Sequence, residues 1–198
     1  MLETRRLTPS EARRVAWKNG RGVTAELALW PPGASFERGD FDWRIACAGV
    51  DEPAPFSRFP GFERLLVVIS GEGLALRHGA QPSVRVPRLH PHRFSGDDAT
   101  SAELLAGPVT DFNVLARRGR AAAGLSVLRG AGRQPLSAGH VFLHLVHGAV
   151  DVRVAGREPT ALAAQESLWI RGGQPGDALE LDGGACTALL VRIEDLSL

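Results

Sequence analysis

Short apolar runs of six to nine residues, separated by glycine and proline, set the rhythm of this chain: "TAELALW", "WRIACAGV", "RLLVVIS", "LALRHG", "HVFLHLVHG", "VDVRVAG", "SLWIRG" and "TALLVRI". Runs this short, bounded by turn residues, predict a sandwich or barrel of many strands. Long helical periodicity is nearly absent. Only "TPSEARRVA", with Thr8 or Ser10 as N-cap, reads as a helical turn.

The pattern also repeats. "RLLVVISGEGLALRHG" (64–79) aligns with "VFLHLVHGAVDVRVAG" (141–156) on Gly71 and Gly148, an offset of 77 positions. The same offset pairs Glu103 with Glu180, Gly107 with Gly184, and "DFNVLARR" with "ALLVRIED". Two equivalent all-β halves follow, joined near "ARRGRAAAGLS". The expected organisation is an amino-terminal half over residues 1–118 that carries the ligand pocket, and a degenerate half over 119–198.

A chain of 198 residues, 44% of them hydrophobic, can bury a sizeable core as one domain or two packed halves. A net charge of +1 with intermixed signs gives no footprint for nucleic acid or an anionic membrane, and neither partner is predicted. The charged amino terminus and the lack of a long apolar run point to a soluble cytoplasmic protein. Cys47 and Cys186 lie among small or apolar residues and read as reduced core thiols.

Histidines are the obvious metal-ligand candidates. On a helix His140 and His144 would share a face, but Val, Phe and Leu between them and a glycine turn after them place them on a strand. There they stand about 13 Å apart, too far to share an ion, and His147 points the other way. His90 and His92 are better spaced, as alternate strand residues, and otherwise flank a turn at Pro91.

The stretch "FSRFPGFERLLVVISGEG" resembles the metal-binding motif of cupin barrels, in which two histidines two apart precede a carboxylate, an apolar strand and a glycine. Aligned on Gly71, those ligand positions hold Ser57, Phe59 and Arg64. The histidine of the second cupin motif falls at Gly96. No metal and no other cofactor is expected.

Four further motifs, in order, resemble the HutD/Ves family of double cupins: "WKNGRGVTAELA" (17–28), "FDWRIACAGV" (41–50), "GVDEPAPFSRFPGFERLLVVISGEG" (49–73) and "TDFNVLARRG" (110–119). Arg21 departs from the family's usual glycine. The resemblance implies an all-β bicupin of two small barrel or jelly-roll halves. It also implies a metal-free binder of small molecules that senses or restrains histidine utilisation, with no catalytic activity firmly attached.

In a small barrel alternate strand residues point inward, and an inward charge must be paired or bind a ligand. With Arg64 inward, Ser57 and Phe59 face inward with it. Arg44 lies opposite in facing to Trp43, Thr24 shares a face with Glu26, and Asp111 shares one with Asn113. Lys18 and Asn19 would add donors at the barrel mouth. Trp17, Trp43 and Phe112 read as core. Arg64 either closes an internal polar network or clamps a carboxylate bidentately.

Three functions are open at this point. One is a binder of a small carboxylate metabolite such as urocanate, formiminoglutamate, formylglutamate or formate. Another is a metal-free hydrolase or isomerase using Glu26 or Asp111 as general base with His92 nearby. The third is a regulatory protein-interaction module. No catalytic constellation is recognisable, and exposed sheet edges allow a homodimer.

Overall fold

The computed structural model describes residues 1–16, 23–136 and 139–196, and among them no helix occurs. The chain forms two compact units. One comprises Ala12–Ala122, to which Leu196 returns by donating its backbone N–H to the Arg120 carbonyl. The other comprises Met1–Glu11 and Ala123–Asp195.

The first unit, which we call the N-terminal barrel, has a six-stranded sheet in the order β2 (Arg13–Ala16), β3 (Val23–Trp30), β4 (Trp43–Val50), β11 (Val109–Arg117), β6 (Phe62–Ser70) and β9 (His92–Ser95). Its second sheet runs β5 (Ala54–Pro55), β10 (Thr100–Leu104), β7 (Gly73–His78) and β8 (Val84–Pro87). Leu66, Val68, Leu74, Leu76, Val86, Ala102 and Val109 from both sheets form its aliphatic core.

The C-terminal barrel repeats the plan. Its larger sheet runs β1 (Glu3–Leu7), β17 (Ser167–Arg171), β14 (His140–His147), β19 (Thr187–Asp195) and β12 (Ala121–Arg129). The smaller runs β13 (Gly132–Pro135), β18 (Ala178–Asp182), β15 (Ala149–Val154) and β16 (Thr160–Ala163). Strands β9, β6, β11 and β4 thus correspond to β17, β14, β19 and β12. The second sheets correspond strand for strand.

The two alignment glycines have the same task. Gly71 and Gly148 adopt φ of 86° and 88°, and a Cβ at either would stand 2.5 or 2.6 Å from the carbonyl oxygen of Pro108 or Ala185. Positive φ and close backbone approach both require glycine.

The structure refines three details of the sequence reading. The first strand pairs with β17, Glu3 opposite Arg171, so residues 1–11 belong with the C-terminal unit rather than with 12–122. The junction is one tight turn: β11 and β12 are separated by three residues, closed by Arg120 N–H to the Arg117 carbonyl. The expected helical turn is one turn, in which the Glu11 N–H reaches the Thr8 carbonyl and the Glu11 carboxylate accepts from the Thr8 N–H and hydroxyl. Sheet pairing from Arg13 onward stops it from continuing.

Candidate functional site

Cross-strand register carries the polar residues to one place. In the larger N-terminal sheet, Leu29, Arg44, Leu115, Arg64 and Phe94 lie directly opposite one another across five strands. The next row is Glu26, Ala46, Asn113, Leu66 and His92, and beyond it lie Thr24, Ala48, Asp111 and Val68. Opposed residues share a face. Leu66 and Val68 belong to the aliphatic core, so Glu26, Arg44, Arg64, Asp111 and Asn113 all face the barrel interior.

Two arginines are buried there, each 6% exposed, and they are treated differently. Arg44 Nε donates to Glu26 Oε2 at 2.7 Å, and its guanidinium lies 4.1 Å over the Phe36 ring. Burial lowers its pKa, opposed by Glu26. Arg64 forms no ion pair among the described residues. Its Nη1 donates to the Ser57 carbonyl at 3.2 Å and its Nη2 to Asn113 Oδ1 at 3.0 Å, while Nε is buried with no acceptor. Phe94, Phe56 and Phe59 stand around it with ring centroids 4.9, 5.2 and 5.4 Å from Cζ. Burial brings the Arg64 pKa down to about 10, so it stays charged at neutral pH.

Its counter-charge is one residue removed. Asn113 Nδ2 donates to Asp111 Oδ1 while Asn113 Oδ1 accepts from Arg64. Asp111 is 2% exposed. Burial pushes its carboxyl up to about 7, against the opposing pull of Arg64, the Asn113 amide and the Ala48 backbone. Burial, with Asp111 adding to it, also pushes the Cys47 thiol up to about 12, so this cysteine is an inert thiol.

Loop 56–62 supplies the lid of this arrangement, and Gly96 seats it. Gly96 N–H donates to the Phe62 carbonyl and the Gly96 carbonyl accepts from Phe59 N–H, both at 2.8 Å. A Cβ at Gly96 would run into the carbonyl oxygens of Phe59 and Phe62. The position where metal cupins carry their second-motif histidine is thus committed to backbone packing. Among the described residues no group of three or more His, Cys, Asp or Glu side chains is arranged to hold a metal ion.

Of the residues singled out from sequence, Glu26, Arg44, Arg64, Asp111 and Asn113 converge, with Phe59 beside Arg64. Thr24 shares their face, one row from Glu26. Ser57 does not face inward: it lies in a loop, exposed, and contributes its carbonyl rather than its hydroxyl. Lys18 and Asn19, with Trp17 and Arg21, lie outside the described residues. Trp43 and Phe112 are fully buried. His90 sits in a turn, its Nδ1 on the Arg88 carbonyl, and His92 meets His78 instead. Phe36, Phe56, Phe94 and His78 had no signal in sequence, because each comes from a segment whose place is set by pairing between distant strands.

The corresponding positions of the C-terminal barrel are hydrocarbon. Arg64, Asp111 and Asn113 correspond to Val141, Ala188 and Leu190, all within one cluster of buried aliphatic residues. The fold therefore does not require the polar set. His140 and His144 are buried on strand β14, where His140 faces Trp169 and Asp195 and His144 hydrogen-bonds Ser167. Two open depressions, of about 330 and 180 Å³, also lie in this barrel, lined respectively by Arg133, Pro135 and Asp177 and by Val150, Asp151 and Asp182.

Two barrels of this topology define a bicupin. A cupin barrel protein from Leptotrichia buccalis shares the fold, with a TM-score of 0.57 over 91% of this chain and 92% of its own at 11% identity. The HutD family profile matches residues 9–189, and the chain belongs to that family. A Pseudomonas putida relative, an uncharacterised 21.2 kDa protein in the hutC 3′ region, is 32% identical over 96% of this chain and 99% of its own. The protein Ves of Escherichia fergusonii is 34% identical over 51% of each chain. Among solved structures, a conserved Pseudomonas aeruginosa PAO1 protein of unknown function superposes with a TM-score of 0.90 at 30% identity, covering 97% of this chain and 99% of the other. HutD from Pseudomonas fluorescens SBW25, in a formate condition, gives 0.82 at 28% identity, covering 98% and 99%.

Proposed function

We propose that the N-terminal barrel binds a small carboxylate-bearing metabolite on Arg64 without a metal ion, and that the protein acts through that binding in histidine utilisation. The observation that carries this reading is the state of Arg64: a buried guanidinium with, among the described residues, a buried, unaccepted Nε–H and no carboxylate in direct contact. Leaving a buried charge without a direct partner costs several kcal/mol unless a ligand supplies it. A carboxylate supplies both the charge and a planar pair of acceptors that matches guanidinium geometry.

The hydrocarbon equivalents in the second barrel support the same reading, since the polar set is dispensable for folding. The family and the hutC-region relative favour small carboxylates of histidine breakdown, such as urocanate, formiminoglutamate, formylglutamate or formate. Phe56 and Phe59, both half-buried, are the side chains a ligand would displace.

A thermal-shift screen of metal-analysed protein against these acids and their amides tests the reading. A ligand at a hundred times its dissociation constant adds about 2.7 kcal/mol of stability. Stabilisation confined to carboxylates supports it; equal stabilisation by the amides, or none by any compound, contradicts it.

A further inference from the structure

Phe94 has Arg64 on it and, on the same ring, two histidines. The His78 and His92 ring centroids lie 4.7 and 5.6 Å from that of Phe94. His92 stands opposite Leu66, and His78 alternates with Leu74 and Leu76, so both face the interior that holds Arg64. Their Nε2 atoms are 3.0 Å apart, and His78 Nδ1 lies 2.9 Å from Thr100 Oγ1.

The two rings meet head to head. Their centroids are 5.2 Å apart at an interplanar angle of 18°, so the Nε2 atoms point almost directly at each other. That is the geometry of a linear N–H···N hydrogen bond, in which one Nε2 is protonated and the other bare. Lone pairs converging on a shared metal ion would tilt the rings toward a common point.

Thr100, His78 and His92 therefore form a chain with two neutral states. In one, His92 Nε2–H donates to His78, His78 Nδ1–H donates to the Thr100 hydroxyl, and His92 Nδ1 is an acceptor. In the other, Thr100 donates to His78 Nδ1, His78 Nε2–H donates to His92, and His92 Nδ1–H is a donor. The two states carry the same charge, with one proton on each imidazole and one on the hydroxyl. The chain's open end can thus satisfy either a donor or an acceptor.

We propose that this chain is a second recognition element facing the same barrel interior, and that the ligand is bifunctional: a carboxylate at Arg64 and, across Phe94, a neutral hydrogen-bonding group at His92. This inference rests on the carboxylate reading of Arg64 and narrows it to a ligand class.

Calorimetric titration with butyrate, succinamate and glutaramate separates the two. Butyrate tests Arg64 alone; the amides add a neutral donor–acceptor group at two reaches. The wild-type protein is expected to bind at least one amide about tenfold more tightly than butyrate. That gain should vanish in His92→Phe, which keeps the ring stack, while butyrate affinity is unchanged. Equal affinities for butyrate and both amides, or a gain that survives in His92→Phe, would overturn the second element and leave the Arg64 reading standing. Failure of all three to bind would overturn both. In the wild-type protein, ¹⁵N spectra of labelled histidine should show the His92 and His78 nitrogens shifting with the amide and not with butyrate; identical spectra with the two would overturn the proposal without any variant.

Discussion

Arg64 and Asp111 face the same barrel interior yet do not touch: Asn113 stands between them, accepting from the guanidinium and donating to the carboxylate. Direct pairing would neutralise the arginine and close the network. The interposed amide fixes the guanidinium's position and leaves part of its hydrogen-bonding capacity unused, which is what an anion site requires.

The raised pKa of Asp111 makes a signed prediction about stability. Its folded value of about 7 lies above the ordinary 3.8, so between about pH 4 and 7 the unfolded chain has released a proton that the folded chain retains. Stability should fall as pH rises through that window and stay reduced above it. At 1.36 kcal/mol per unit, the cost amounts to at most about 4 kcal/mol. Urea denaturation of wild type and Asp111→Asn at pH 5 and 8 checks this: the variant should gain on wild type as pH rises. His78 and His92, held below their usual range by burial, act in the opposite sense and cancel in the comparison.

Replacing Arg64 should not cost stability. Val141 fills the equivalent place in the second barrel, and removal of a buried charge that lacks a direct partner relieves a desolvation penalty. Arg64→Met is expected to unfold at the same or a higher urea midpoint than wild type. A loss above about 2 kcal/mol would mark Arg64 as a structural residue.

Glu26 is the contrasting case. Its removal in Glu26→Ala strands Arg44 in the barrel wall, and the expected loss is about 3 kcal/mol. The double variant Glu26→Ala, Arg44→Met should recover most of it. Denaturation of the single and double variants measures the coupling.

Gly96→Ala should loosen the loop that carries Phe59. The methyl group has no room beside the Phe59 and Phe62 carbonyls, so the loop must lift or the strand must shift. Lower stability together with weakened carboxylate binding is expected, measured by scanning calorimetry and titration of one preparation.

The strands were legible because each apolar run between turn residues is itself the interior face of a strand; "WRIACAGV" coincides with β4 residue for residue. The arginine face was legible in pieces: alternation put Thr24 with Glu26 and Asp111 with Asn113, counting along the cupin motif put Arg64 inward, and cross-strand register, which the sequence does not print, joins those faces. What failed was whatever depends on where a strand begins. Ser57 was assigned by counting along a motif, and the chain is not a strand there. His90 and His92 do flank Pro91, with His90 in a turn and β9 starting at His92, but His78, the partner of His92, comes from the other sheet and had no signal in the sequence. The aromatic surroundings of Arg64 arise from two separate segments, loop 56–62 and strand β9, and no local pattern announces such a meeting.

Titration calorimetry of formate and acetate into wild type and Arg64→Met, with acetamide as the uncharged control, tests the central claim most directly. The account predicts saturable binding of the carboxylates to wild type, none of acetamide, and loss of the carboxylate signal in a folded Arg64→Met. Carboxylate binding that persists unchanged in Arg64→Met would place the site elsewhere and contradict the account.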